Sequence, residues 1–244
     1  MDNVVVTGAS RGIGLAIARK LAASGYDVTA VARRTSDDLA AAIDACQRQG
    51  GGSLRFAALD LQEIEAIPEF VRQLRRDRGP IYGLVNNAGI GTEGLLATMP
   101  NSQIETLLRL NNLSPMVLTK YVVRGMMADG RGRVVNLSSI IASTGYNALS
   151  VYGATKAAMI GFTKSLSREV GRLGITVNAI APGFIDTEMT RGLDDAQRKR
   201  IADRSALRRL AEVEDVANMA AFLIGETGRN ITGAVMTVDA GSTA

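Results

Sequence analysis

The chain has 244 residues, no histidine, no tryptophan and one cysteine, and its 28 basic and 24 acidic side chains leave a formal charge of +4. Without histidine there is no Ser-His-Asp or Cys-His relay and no His-containing zinc site, and Cys46 alone excludes an intramolecular disulfide and an all-cysteine metal cluster. No metal is therefore expected, and acid–base chemistry falls to Tyr, Lys, Asp or Glu.

Short β-branched runs alternate with longer segments of helical period. Residues 4–7 predict a strand and 14–24 a helix. A strand over 27–32 precedes a helix over 36–49, closed by Gly50-Gly51-Gly52. Residues 53–59 predict a strand, and 62–78 a helix stopped by Gly79-Pro80. After a strand over 81–86 come two helical segments, 102–110 and 115–128. A strand over 133–138 leads to a long helix over 151–173, and a further strand spans 176–180. A polar segment over 187–210, a helix over 213–225 and a strand over 235–238 follow. Strands alternating with helices of about ten residues or more make βαβ units and a parallel sheet. The strands are near-continuous apolar runs, as burial on both faces requires. The expectation is an α/β fold: a single doubly wound domain over residues 1–244, with a mainly parallel seven-stranded sheet and helices on both faces.

No apolar run reaches the roughly 18 residues of a membrane span. Val4-Val5-Val6 follows Met1-Asp2-Asn3 without a basic leader region, so a cytoplasmic protein with no membrane partner is expected. Arg72, Arg75, Arg76 and Arg78, and again Arg198, Lys199, Arg200 and Arg204, read as solvated helix faces. They lack interleaved aromatics, which argues against a nucleic-acid partner.

Thr7-Gly8-Ala9-Ser10-Arg11-Gly12-Ile13-Gly14 stands at the first strand-to-helix turn. Glycines at 8, 12 and 14 let the backbone approach a pyrophosphate at the helix amino end. The second strand ends in Val31-Ala32-Arg33-Arg34. A carboxylate there would bind a ribose 2′-hydroxyl, whereas arginines suit a 2′-phosphate. With Arg11 in the loop, the dinucleotide expected is NADP(H) rather than NAD.

Tyr152-Gly153-Ala154-Thr155-Lys156 opens the long helix. Positions i and i+4 share a helix face, and a nearby cation favours the phenolate over a phenol of pKa about 10. Ser138-Ser139 ends the preceding strand, on the edge of the sheet where α/β ligand clefts open. Cys46 reads as a packing residue, since no base that could activate it can be named.

With Asp60, Asn86-Asn87-Ala88-Gly89, Asn111 and Pro182-Gly183 in the same order and spacing, the whole chain resembles the short-chain dehydrogenase/reductase family. The resemblance implies a Rossmann-type domain with a catalytic tetrad of Asn111, Ser139, Tyr152 and Lys156. In it, NADPH delivers hydride to a ketone carbon while Ser139 binds the oxygen and Tyr152 protonates it. Lys156 lowers the tyrosine pKa and holds the nicotinamide ribose, and Asn111 anchors a water behind Lys156. The cofactor contacts it implies are Gly8, Ser10, Arg11, Gly12, Ile13, Gly14, Arg33 and Arg34. They continue with Asp60 and Leu61 at the adenine, Asn87, Ala88 and Gly89 along the cofactor, and Pro182, Gly183, Ile185 and Thr187 near the carboxamide. Ser139, Ile141 and Tyr152 face the substrate. Within the family the likeness is strongest to bacterial 3-oxoacyl-[acyl-carrier-protein] reductases, whose acidic carrier protein docks on arginines near the cleft. At those two positions this chain has Gly130 and Leu173, with Arg131 and Arg172 beside them. An acyl-CoA, simple ketone, sugar or polyol substrate stays open, as does an idle NADP-binding sensor or scaffold. The resemblance also implies a homotetramer, with the 151–173 helix and the last strand at interfaces.

Overall fold

The structure, a computed structural model, describes residues 1–185 and 195–244. Its strands are β1 (Asn3–Thr7), β2 (Asp27–Ala32), β3 (Ser53–Ala58), β4 (Ile81–Asn86), β5 (Gly132–Leu137), β6 (Ile175–Pro182) and β7 (Val235–Val238). They form one sheet in the order β3-β2-β1-β4-β5-β6-β7, and every pairing is parallel. The order reverses at β1, which pairs with β2 on one side and β4 on the other. A ligand crevice opens above the carboxyl ends of the strands at such a switch point.

The helices are α1 (Gly12–Ala23), α2 (Asp37–Gln49), α3 (Ile67–Arg78), α4 (Asn101–Leu108), α5 (Ser114–Asp129), α6 (Ile141–Thr144), α7 (Ser150–Val170), α8 (Asp195–Arg204) and α9 (Val213–Ile224). Alternation along β1 sends Val4 and Val6 into one core and Val5 into the other. The first core takes Ile17 and Leu21 of α1, Leu39 of α2, and Val216 and Leu223 of α9. The second takes Val71 of α3, Leu118 and Val122 of α5, and Leu166 and Val170 of α7. Each such side chain, fully buried, contributes about 1.5–3 kcal/mol relative to exposure. Among the described residues no helix is long and apolar enough to cross a membrane.

The departures from the sequence reading have local causes. Helix α3 begins at Ile67, not 62, after a 3-10 turn over Ile64–Ala66. Pro68 lies in its first turn, where a missing N–H leaves no helical bond unmade. Helix α7 ends at Val170, and a 3-10 turn leads to Gly174 at φ 74°. Helices α4 and α5 are one continuous rod joined by a π-helical turn over Arg109–Leu113. Helix α8 arises inside the segment read only as polar.

Candidate active site

At the switch point the ends of β1 and β4 are stitched together. Thr7 Oγ1 donates to Val85 O (3.2 Å) and accepts from the backbone N–H groups of Asn87 and Ala88 (3.0 Å each). Asn87 Nδ2 in turn donates to Thr7 O (2.9 Å) and Gly8 O (3.1 Å). Gly8 and Gly12 adopt φ of 64° and 55°, the left-handed region that favours glycine. Gly14 is required for space: a Cβ there would stand 2.3 Å from Gly8 O and 2.4 Å from Asn87 Nδ2. No side chain caps the start of α1, and its first turn holds no acidic residue. Ser10, Arg11 and Ile13 complete this loop. Backbone so close to an uncapped helix start makes a cradle for a pyrophosphate.

Arg33 and Arg34 follow the end of β2 and are exposed. Ser36 caps α2 and also donates to Ser10 O, tying the arginine loop to the glycine loop. Asp60 lies just past β3, its carboxylate accepting from Gln62 N–H (2.9 Å). Leu61 beside it is buried, and its carbonyl accepts from the Ser114 hydroxyl. Since β2 and β3 are neighbours, Arg33, Arg34, Asp60 and Leu61 border the same side of the crevice. With arginines and no carboxylate at the end of β2, the cradle fits a dinucleotide bearing a 2′-phosphate.

On the other side of β1, β5 runs into Ser138-Ser139 and α7 presents Tyr152 and Lys156. Ser138 Oγ donates to Lys156 O (2.9 Å), so that hydroxyl is spent on the helix backbone. Ser139 Oγ accepts from Ile141 N–H (3.2 Å). Burial pushes the Tyr152 phenol above its ordinary value, and hydrogen bonding from Ser139 pulls it back. It is thus Ser139, not Ser138, that the fold brings to Tyr152. Lys156 Nζ donates to Leu137 O (2.9 Å) and lies 5.7 Å from the centre of the Tyr152 ring. The lysine is only 7% exposed, and burial lowers it from 10.5 to about 8.

Asn111 lies in the π-helical turn, and its amide is fully engaged. Its Oδ1 accepts from Ile90 N–H (2.9 Å), while Nδ2 donates to Ile90 O (2.9 Å) and Thr155 Oγ1 (3.1 Å). Asn112 Nδ2 donates to Thr155 O (2.8 Å). The turn therefore grips α7 one residue before Lys156. Pro115 has no N–H, so it brings no α-helical donor to the Asn111 carbonyl four residues earlier. Gly89 completes the packing: a Cβ there would stand 3.1 Å from Asn111 Oδ1 and 3.6 Å from Lys156 Nζ.

Beyond β6, Gly183 N–H donates to Val238 O (2.9 Å), and a Cβ on Gly183 would stand 2.6 Å from Asp239 Cβ. Ile140 N–H donates to Pro182 O (3.0 Å), and Ile185 bridges to Ala211. Ile141 is buried and touches the site through its backbone. Thr187 lies outside the described residues. Arg131 and Arg172 depart from expectation. They precede β5 and β6 and so lie at the amino ends of these strands, opposite the crevice. Arg131 is also paired with Asp2 and stacked 5.0 Å from the Tyr82 ring centre. Thr7, Asn112 and Thr155 hold the site together without having been singled out for that role. The usable signals were a hydroxyl ending the strand before a glycine loop, and a proline four residues after Asn111.

Residues 2–198 match the family model of the short chain dehydrogenases. The 3-oxoacyl-[acyl-carrier-protein] reductase FabG of Escherichia coli K12 is 41% identical over 237 residues, 97% of this chain and 95% of that protein. A blue fluorescent protein from a metagenomic library, solved in complex with NADPH, superposes with a TM-score of 0.91 at 34% identity, covering 100% of this chain and 98% of that one. A gluconate 5-dehydrogenase from Burkholderia cenocepacia, solved with NADP and tartrate, gives 0.93 at 29% identity over 99% of this chain and 95% of that one. A parallel sheet in this order, a glycine cradle at its switch point and a match along nearly the whole chain lead to one assignment: the protein belongs to the short-chain dehydrogenase/reductase family.

Proposed function

We propose that the protein is an NADPH-dependent reductase of 3-oxoacyl thioesters, turning the ketone into a secondary alcohol. The observation that carries this reading is Ser139 and Tyr152 side by side, with Lys156 buried behind them at the crevice edge. The glycine cradle, Arg11, Arg33 and Arg34 would hold the phosphates, with Asp60 and Leu61 at the base. Asn87, Ala88, Gly89, Lys156 and the segment from Pro182 would hold the nicotinamide end. When bound, the cofactor supplies hydride to the ketone carbon. Ser139 donates a hydrogen bond to the carbonyl oxygen as negative charge builds there. Tyr152 then gives that oxygen its phenolic proton. Lys156, with a value of about 8, is protonated at neutral pH. Its charge favours the phenolate left behind. Asn111 braces Ile90 against Thr155, leaving its backbone carbonyl as the group able to anchor a water for reprotonation.

The acyl-thioester substrate follows the FabG likeness, and an acyl-carrier protein is the partner that likeness suggests. The same likeness supports a cytoplasmic homotetramer, with α7 and edge strand β7 at its interfaces. A sugar or polyol is the second reading, favoured by the gluconate 5-dehydrogenase likeness.

The test is NADPH consumption with acetoacetyl-carrier protein, acetoacetyl-CoA, simple ketones and gluconate-like polyols. Thioester turnover that falls about 10²–10⁴-fold in Tyr152→Phe, with NADPH affinity retained, is the expected result. Turnover of polyols alone would transfer the assignment to the second reading, and full activity in Tyr152→Phe would remove the tyrosine from the chemistry.

A further inference from the structure

The formal charge of +4 is not spread evenly along the chain. Residues 198–209 hold six cations, Arg198, Lys199, Arg200, Arg204, Arg208 and Arg209, against one acid, Asp203. That surplus of five exceeds the +4 of the whole, so the remaining residues together carry −1. The run covers the end of α8 and the turn that follows it. Acids flank it in the sequence, Asp194 and Asp195 before it and Glu212, Glu214 and Asp215 after it. The last three stand at the start of α9, where Glu212 and Asp215 form its capping box. Lys199 pairs with Asp203 (3.3 Å) and Arg209 with Asp215 (3.9 Å). Arg200, Arg204 and Arg208 are exposed and have no ion pair among the described residues.

This basic face lies on the crevice side of the sheet. Ala206 N–H donates to Gly241 O (3.2 Å) and Leu207 N–H to Ala240 O (3.1 Å). Both acceptors follow the carboxyl end of β7. Asp239 beside them is spent within that turn, accepting from Gly241 N–H (2.9 Å), Thr243 N–H (2.9 Å) and the Thr243 hydroxyl (2.8 Å). Its Cβ fills the space next to Gly183. Ile140 N–H donates to Pro182 O (3.0 Å), which joins the same corner to the residue after Ser139. Leu207, among the cations, is 61% exposed.

Arg200 and Arg204 are four residues apart on α8, so two like charges share a helix face and repel. Carboxylates brought by a partner would compensate them. Arginine is enriched in protein interfaces, whose usual anatomy is an apolar centre within a polar rim. Small-ligand sites are concave, whereas these side chains stand exposed. No aromatic side chain lies within residues 198–209 to stack on nucleobases. We propose that Arg200, Arg204, Leu207 and Arg208 dock the acidic surface of a carrier protein that presents the thioester to Ser139 and Tyr152. Arg131 and Arg172, at the amino ends of their strands, take no part. This rests on the 3-oxoacyl reading given above.

The experiment measures kcat/KM for acetoacetyl-carrier protein, acetoacetyl-CoA and the uncharged acetoacetyl N-acetylcysteamine thioester at saturating NADPH. Wild type should favour the carrier thioester over the uncharged one, and salt should erode that ratio. An exposed ion pair is worth up to about fivefold, or about 1 kcal/mol. The double variant Arg204→Gln with Arg208→Gln should therefore lower the carrier-to-uncharged ratio about tenfold. Its turnover of the uncharged thioester should not change. The double variant Arg131→Gln with Arg172→Gln should keep the wild-type ratio. The ratio is internal to each protein, so partial loss of folded protein cancels. A wild-type ratio near one, an unchanged ratio in the first double variant, or a fall in the second instead, overturns the proposal. So does an equal fall for acetoacetyl-CoA, which would make the face a phosphate reader. Absence of turnover with all three thioesters would refute the 3-oxoacyl reading itself.

Discussion

Thr7→Val tests whether the switch point is held by one hydroxyl. The substitution keeps the shape of the side chain and removes only its oxygen. Thr7 is buried, and its Oγ1 accepts from Asn87 N–H and Ala88 N–H while donating to Val85 O. The losses are unequal. Asn87 N–H keeps Val85 O as a second acceptor at 3.1 Å, and so Val85 O also keeps a donor. Ala88 N–H has no other acceptor among the described residues. One orphaned, partly buried donor costs about 1–3 kcal/mol, so about 2 kcal/mol is expected. For a domain of this size that lowers Tm by about 4–8 °C. Thermal unfolding at fixed protein concentration, followed by circular dichroism, reads it. NADPH titration of the folded variant should also show weaker binding, because Asn87 and Gly8 share the disturbed turn. Thr7→Ser keeps the oxygen and should restore NADPH affinity. A Thr7→Val protein within about 1 °C of wild type would show that the stitch contributes nothing.

Two further predictions concern charge. The pKa of Lys156 is depressed by burial from 10.5 to about 8. Its buried charge therefore penalises the fold fully below about pH 8, and the penalty is relieved as pH rises toward the unfolded value. Between about pH 8 and 9.5, below the titration of the buried tyrosines, cofactor-free wild type should gain stability over Lys156→Met; urea midpoints that move in parallel would refute this. Arg33→Ser and Arg34→Ser should lower the preference for NADPH over NADH, because a charge-assisted hydrogen bond contributes about 1.5–3 kcal/mol, or about 10–150-fold. Ratios of kcat/KM unchanged in both variants would remove these arginines from 2′-phosphate recognition.

The sheet was legible because burial on both faces leaves strands as unbroken apolar runs. Val4-Val5-Val6 has no alternation to mislead, since each valine finds a core on its own side. The reactive groups were legible because Tyr152 and Lys156 are fixed by helical spacing and Ser139 by a strand end. What escaped was non-local. Nothing in Asn111-Asn112-Leu113-Ser114-Pro115 alone states that two helices merge through a π turn. That outcome depends on Thr155, 43 and 44 residues away along the chain, accepting from both asparagines. Arg131 was misplaced for a similar reason. Its charge is plain in the sequence, but its position at the amino end of β5 and its pairing with Asp2 need the folded sheet.

The two asparagines divide one task. Asn112 donates to the Thr155 carbonyl and so fixes the α7 backbone. Asn111 donates to the Thr155 hydroxyl, which itself donates to Tyr152 O. The same Asn111 amide holds both backbone groups of Ile90, just past Gly89. The π turn thus spans the gap between the cofactor side of the crevice and the helix that carries Tyr152 and Lys156. Within the π turn the two adjacent amides reach different atoms of Thr155, one the hydroxyl and the other the carbonyl. Pro115 lacks the N–H that an α-helical turn would bring to the Asn111 carbonyl. Through these bonds the turn ties the helix that carries Tyr152 and Lys156 to the segment just past Gly89, on the cofactor side of the crevice.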